Sequence, residues 1–244
     1  MRLRPRPSSV AKLVAASFVF FSVAAIVPQS SPTSDLAKRA AYSPVASTSS
    51  IRAALSTNLK LVNDWLGDQD FVSAAEAADG LTVLANVYQY YGDQPAWQEK
   101  VAFLREEVQK LVSETKDKDA AACEKASRKV AARLTELAEN PPSGERVVVR
   151  DFKPVASTKT LMKLMGGTYA DAKATKSVND LSNMAATVAE VANVVGYLRN
   201  DSTWQERARE LRETALDVAT RSPAMDLQSA RTELKNVYRR CEAC

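Results

Sequence analysis

The chain has 244 residues, enough for one domain or two, with seven glycines, no histidine and a formal net charge of +4. Alanine is abundant and charges of both signs are interspersed, which favours helices over sheets. Without histidine no Ser-His or Cys-His nucleophilic pair exists and no carboxylate spacing singles out an acid–base pair, so no enzyme is read; without a basic stripe interleaved with aromatics, the composition also speaks against nucleic acid as a partner.

Arg2, Arg4, Arg6 and Lys12 supply the whole excess of positive charge before the first acidic residue, Asp35. They precede an apolar run from Leu13 to Val27, broken by Ser17 and Ser22. That run is shorter than the roughly 20 residues a spanning helix needs, so residues 1–27 read as an export signal or an uncleaved N-terminal anchor. The expected location is the periplasm or another exported site, with membrane contact only through this segment if it stays uncleaved. Residues 28–50 are rich in Ser, Thr, Ala and Pro, a composition that predicts a disordered linker.

The rest of the chain repeats itself. An offset of 107 residues superimposes Ala85-Asn86-Val87 on Ala192-Asn193-Val194, Tyr90 on Tyr197, Trp97-Gln98-Glu99 on Trp204-Gln205-Glu206 and Leu104-Arg105-Glu106 on Leu211-Arg212-Glu213. A spacing so far beyond solenoid periods means duplication of a whole unit. Leu181, Met184, Ala185, Val188, Val191, Ala192, Val195 and Leu198 recur at three- and four-residue steps, as one helix face does; Trp204, Ala208, Leu211, Ala215 and Val218 follow suit. Trp97, Val101, Leu104, Val108 and Leu111 repeat that second stripe in the first half. Ser222-Pro223 reads as the start of a last helix with the stripe Leu227, Ala230, Leu234, Val237, Tyr238 and Cys241, whose counterpart is Cys123, Ala126, Val130, Leu134 and Leu137. The expected fold is therefore all-α, with two tandem antiparallel four-helix bundles at 51–140 and 157–244 joined by a linker at 141–156. The shared tryptophans, tyrosines and asparagines are assigned to folding, because both halves carry them.

Cys123 lies on an apolar stripe and reads as a small buried hydrophobe. Cys241-Glu242-Ala243-Cys244 differs, because Cys241 continues the buried stripe and Cys244 lies one turn on. Two thiols one turn apart are what covalent haem attachment uses, each adding to a porphyrin vinyl group while a following histidine ligates iron. A thiol-redox pair ordinarily opens a helix rather than closing one, and zinc wants about four ligands, which one further cysteine and no histidine do not supply.

Through this motif and the run Leu161-Met162-Lys163-Leu164-Met165-Gly166-Gly167, residues 157–244 resemble the cytochrome c-prime family, four-helix bundles with haem on a C-terminal C-x-x-C-H. The resemblance implies haem c, at most one per chain, held by Cys241 and Cys244. Met162 is then the distal iron ligand by its M-K-x-x-G context and Met165 the alternative. The family's proximal histidine would follow Cys244. It also implies electron transfer with a redox partner protein, or binding of a diatomic gas. An offset of 107 sets Leu55 opposite Met162, and 104 in the last helices sets Leu137 and Asn140 opposite Cys241 and Cys244, so the first bundle is expected to lack the site. The other reading is a haem-free helical module that stabilises or docks to something at the envelope. The sequence carries no signal for an oligomeric state.

Overall fold

Among the described residues, helix-stop chemistry and apolar stripes set out eight α-helices: α1 Thr48–Gly67, α2 Phe71–Tyr88, α3 Pro95–Asp117, α4 Ala120–Glu139, α5 Thr158–Ala174, α6 Val178–Val195, α7 Ser202–Arg221 and α8 Leu227–Glu242. They come from a computed structural model that describes residues 41–142 and 144–242. The expected signal at 1–27, the linker up to residue 40 and Cys244 lie outside the described residues. Within them the fold is all-α, as composition and periodicity imply, with a lone β-bridge between Tyr42 and Val149.

Side-chain caps set the helix starts. Ser47, Asp70 and Asp119 accept from the backbone N–H groups of Ser50, Ser73 and Ala122; Ser157, Ser177 and Asp226 do the same for Thr160, Asp180 and Ser229. Asp201 caps α7 through Trp204 N–H, whereas its counterpart Gln94 makes no side-chain cap and leaves the start of α3 to Pro95 in the first turn.

These caps correct three expectations. Ser47 and Ser157 stand 110 residues apart, and the identical run Pro44-Val45-Ala46-Ser47-Thr48 and Pro154-Val155-Ala156-Ser157-Thr158 shares that offset. Met165 is therefore opposite Leu55, and Met162 is opposite Arg52 rather than Leu55. Asp119 and Asp226 restore the offset of 107 in the last helices, so Cys241 faces Leu134, and the offset carries Cys244 onto Leu137. Ser222-Pro223 does not open the last helix. Ser222–Ala224 is a 3-10 turn that closes α7, with the buried Ser222 hydroxyl donating to Val218 O, and Asp226 opens α8.

Helix neighbours follow the chain in each half. In the first, α2 packs on α1 and α3, and α4 packs on α3 and α1; in the second, α6 packs on α5 and α7, and α8 packs on α7 and α5. The halves meet where α1 lies against α6 and α2 against α5. A continuous apolar core runs through both, and the described residues belong to one compact unit. Gly80 lets α2 approach closely at this junction, since a Cβ there would lie 3.0 Å from Asn58 Oδ1 and 3.3 Å from Leu164 Cδ1.

The end of the expected 28–50 linker is built into the core. Tyr42 is fully buried and Ala46 nearly so, and α1 starts at Thr48 rather than 51. Tyr42 exchanges two backbone hydrogen bonds of 2.8 Å with Val149. The expected 141–156 linker is likewise structural. Gly144, at φ 87°, turns it where any Cβ would meet Asp93 Oδ1 at 2.0 Å, and Arg146 then donates to Pro44 O and Ala46 O. Phe152 follows, 3% exposed, against Tyr42.

Candidate functional site

The stripe on α8 buries Ala230, Leu234 and Val237, and its next inward position is Cys241, half-buried against the core. Burial, and after it the Glu242 carboxylate, push the Cys241 thiol above its ordinary pKa. This thiol is a poor nucleophile near neutral pH until something activates it.

Helix α5 runs beside α8 in the opposite direction. Two contacts set the register: Arg231 Nη2 donates to Thr175 O at 2.6 Å, and the rings of Tyr169 and Tyr238 stack with centroids 5.0 Å apart. One further turn along both helices, away from the first contact, brings Met165 level with Cys241; the next turn of α5 carries Met162. Met165 is 1% exposed and Met162 partly buried, both packed on the core. The expected residues Cys241, Met165 and Met162 thus share one end of the α5–α8 pair. Cys244 lies outside the described residues.

Cys241 offers a half-buried thiol and Met165 a buried thioether, the donor types that an attached porphyrin would use. It supplies no imidazole from within the 244 residues. Among the described residues no three His, Cys, Asp or Glu side chains converge as metal ligands. Cys123 is fully buried and its thiol is raised first by burial and then by Glu114 and Asp119, in keeping with a core residue.

The repeated residues have structural partners. Trp204 Nε1 donates to Val195 O at 2.8 Å, while Trp97 packs edge-on against Tyr88 at 4.9 Å and its indole N–H has no partner among the described residues. Asn193 Nδ2 donates to Ser43 O at 2.9 Å, and Asn86 Oδ1 accepts from Gln89 Nε2 at 3.2 Å.

Sequence reasoning missed Glu190, which is fully buried on α6. Its Oε1 accepts from Tyr42 Oη at 2.8 Å, and its Oε2 from the backbone N–H groups of Val45 at 2.6 Å and Ala46 at 2.9 Å. Tyr91 Oη lies 3.3 Å from Oε2 and 3.1 Å from Ala46 O, sharing its proton between them. The signal was present as the one carboxylate within the apolar run from Leu181 to Leu198. Burial and the Glu190 carboxylate hold the Tyr42 and Tyr91 phenols well above the ordinary range.

Two cavities open apart from Cys241 and the α5 methionines. One of about 470 Å³ opens at the junction of α1, α2, α5 and α6, bordered by Asn58, Trp65, Leu164, Asp171 and Met184. Lys163 and Glu76 form an ion pair across its rim. The other, of about 320 Å³, sits between the end of α6 and the start of α7 beside Gly196. Neither is bordered by Cys241, Met162 or Met165. No helix of the described residues is long and apolar enough to cross a membrane. No protein-family model, curated protein or solved structure matches the chain.

Proposed function

We propose that this is an exported c-type cytochrome-like protein of the cytochrome c-prime kind, built as two tandem four-helix bundles, with haem c held through Cys241 and Cys244 of the second. The observation that carries this reading is the α5–α8 register that sets Met165 level with Cys241. Attached haem supplies one-electron exchange or a seat for a small gas at its iron. The protein's part is to turn the Cys241 thiol inward, to hold Met165 or Met162 as a sulfur donor on the facing helix, and to cover that end with the Tyr169–Tyr238 stack.

The first bundle serves the second as a scaffold. Its residues at the matching positions are Leu55, Arg52, Leu134 and Leu137, which offer neither thiol nor thioether. A pyridine haemochrome assay on protein matured with haem-attachment machinery is expected to give at most one haem per chain. A value near two contradicts the assignment to the second bundle.

A second reading, a haem-free docking module of the cell envelope, is favoured by the packing of Met165, whose side chain already fills the core at 1% exposure. In that case Met165 acts as a core residue and Cys241 as a half-buried one. Matured protein that stays colourless while keeping its helical circular-dichroism spectrum supports this reading over the first.

A further inference from the structure

The duplication supplies an internal comparison for the cavity beside Gly196. At the offset of 107, Gly196 corresponds to Gln89, Asn193 to Asn86, Arg212 to Arg105, Gln205 to Gln98 and Ala208 to Val101. The backbone is the same at both places, with φ −59° and ψ −28° at Gln89 and φ −57° and ψ −21° at Gly196. In the first half the Gln89 carboxamide bridges two neighbours. Its Nε2 donates to Asn86 Oδ1 at 3.2 Å, and its Oε1 accepts from Arg105 Nη1 at 2.7 Å.

In the second half that side chain is missing and its partners remain. Arg212 Nη1 donates directly to Asn193 Oδ1 at 3.1 Å, and the cavity of about 320 Å³ opens against Asn193, Gly196, Gln205, Arg209 and Arg212. Packing does not demand the glycine. A Cβ at Gly196 would meet Asn193 O at 3.4 Å and Ala208 Cβ at 3.7 Å, ordinary contacts, and its φ is one any residue adopts.

We propose that this cavity is a binding site for a small molecule ending in a primary carboxamide, which takes the place that Gln89 fills in the first half. The ligand oxygen accepts from Arg212, drawn off Asn193, and the ligand N–H donates to the Asn193 Oδ1 so released. Asn193 selects an amide over a carboxylate. Its Nδ2 is committed to two acceptors, Ser43 O at 2.9 Å and Glu190 Oε1 at 3.4 Å, so Oδ1 is the atom left for a ligand, and a carboxylate has no proton to give it. Arg209 adds little pull on an anion, because Glu206 and Glu213 already hold it at 2.5 Å and 2.6 Å. The volume admits a group of about amino-acid size, near the lower end of ordinary ligand pockets.

The site uses neither Cys241 nor Met165 and stands apart from the haem reading. It is tested by titrating the full chain with propionamide and with L-glutamine while following amide and side-chain NMR signals. Saturable shifts are expected at Gly196, Asn193 and Arg212, at least ten-fold weaker for L-glutamate than for L-glutamine. Gly196→Gln should fill its own cavity, raise the melting temperature and abolish the shifts, and Arg212→Met should abolish them with the helical spectrum kept. Absence of saturable shifts with both amides, equal affinity for L-glutamate, or undiminished binding in both variants overturns the proposal.

Discussion

Tyr42 and Phe152 stack face to face, with ring centroids 3.9 Å apart and planes at 15°, and they are one position of the repeat, each just ahead of Pro-Val-Ala-Ser-Thr. Tyr90 and Tyr197, also counterparts, meet both rings edge-on at 5.4 to 5.7 Å. A residue that touches its own equivalent is the mark of a self-complementary joint, and the pairing of α1 with α6 and α2 with α5 has the same form. The duplicated halves are thus joined as two subunits of a symmetric dimer are, inside one chain.

Glu190 is where this symmetry breaks, because its counterpart in the first half is Val83, 2% exposed. Glu190→Ala leaves the N–H groups of Val45 and Ala46 and the Tyr42 hydroxyl without their acceptor. The expected cost is about 3–5 kcal/mol in urea unfolding, with Tyr42→Phe costing about 1–2 kcal/mol. A Glu190→Ala loss below that of Tyr42→Phe would show that the segment 41–47 is not held through this carboxylate.

Alkaline stability follows from the same cluster. Burial and Glu190 raise the Tyr42 and Tyr91 phenols above the ordinary value of 10.0, so the folded protein keeps protons that the unfolded chain releases. The sign is therefore destabilising as pH climbs above about 10, with no contribution below it. Urea midpoints at pH 9 and pH 11 should fall more steeply in the wild type than in the Tyr42→Phe variant, measured against each protein's own value at pH 9.

Thiol chemistry at Cys241 should be slow near neutral pH. In a chain with Cys123→Ser and Cys244→Ser, iodoacetamide alkylation is expected to lag a small free thiol at pH 8 and to approach it as pH rises, because burial first and Glu242 second raise the thiol. Glu242→Gln should recover part of the deficit. A rate equal to the free thiol at pH 8 would contradict the inward placement.

Met165 and Met162 should separate on stability. Met165→Ala is expected to cost about 2–5 kcal/mol as a buried core truncation, and Met162→Ala clearly less. Equal losses in thermal unfolding would mean that the two share one environment.

Legibility in the sequence tracked periodicity. Every stripe residue from Trp204 to Val218 is buried, and Cys123 is core, because helical spacing alone dictates those faces. Tyr42 was hidden by its Ser-, Pro- and Ala-rich surroundings, which look like tether although a single aromatic anchors them. The Met162 pairing moved because α1 has 20 residues and α5 has 17, a length difference that one fixed offset hides. The Cys241 pairing moved because apolar stripes match at 104 as they do at 107 until the Asp119 and Asp226 caps fix the helix starts. Glu190 gave only one charge in an apolar run, and its partners lie about 100 to 150 residues away in sequence, beyond any local pattern.

The claim that Cys241 and Cys244 carry haem is tested most directly by the intact mass of the full chain co-expressed with c-type haem-attachment machinery, with and without one histidine added after Cys244. The account predicts one covalently added haem in the extended chain, markedly less in the unextended one, and none when Cys241→Ser and Cys244→Ser are combined. An unmodified mass for the extended chain, with its helical spectrum intact, would contradict it.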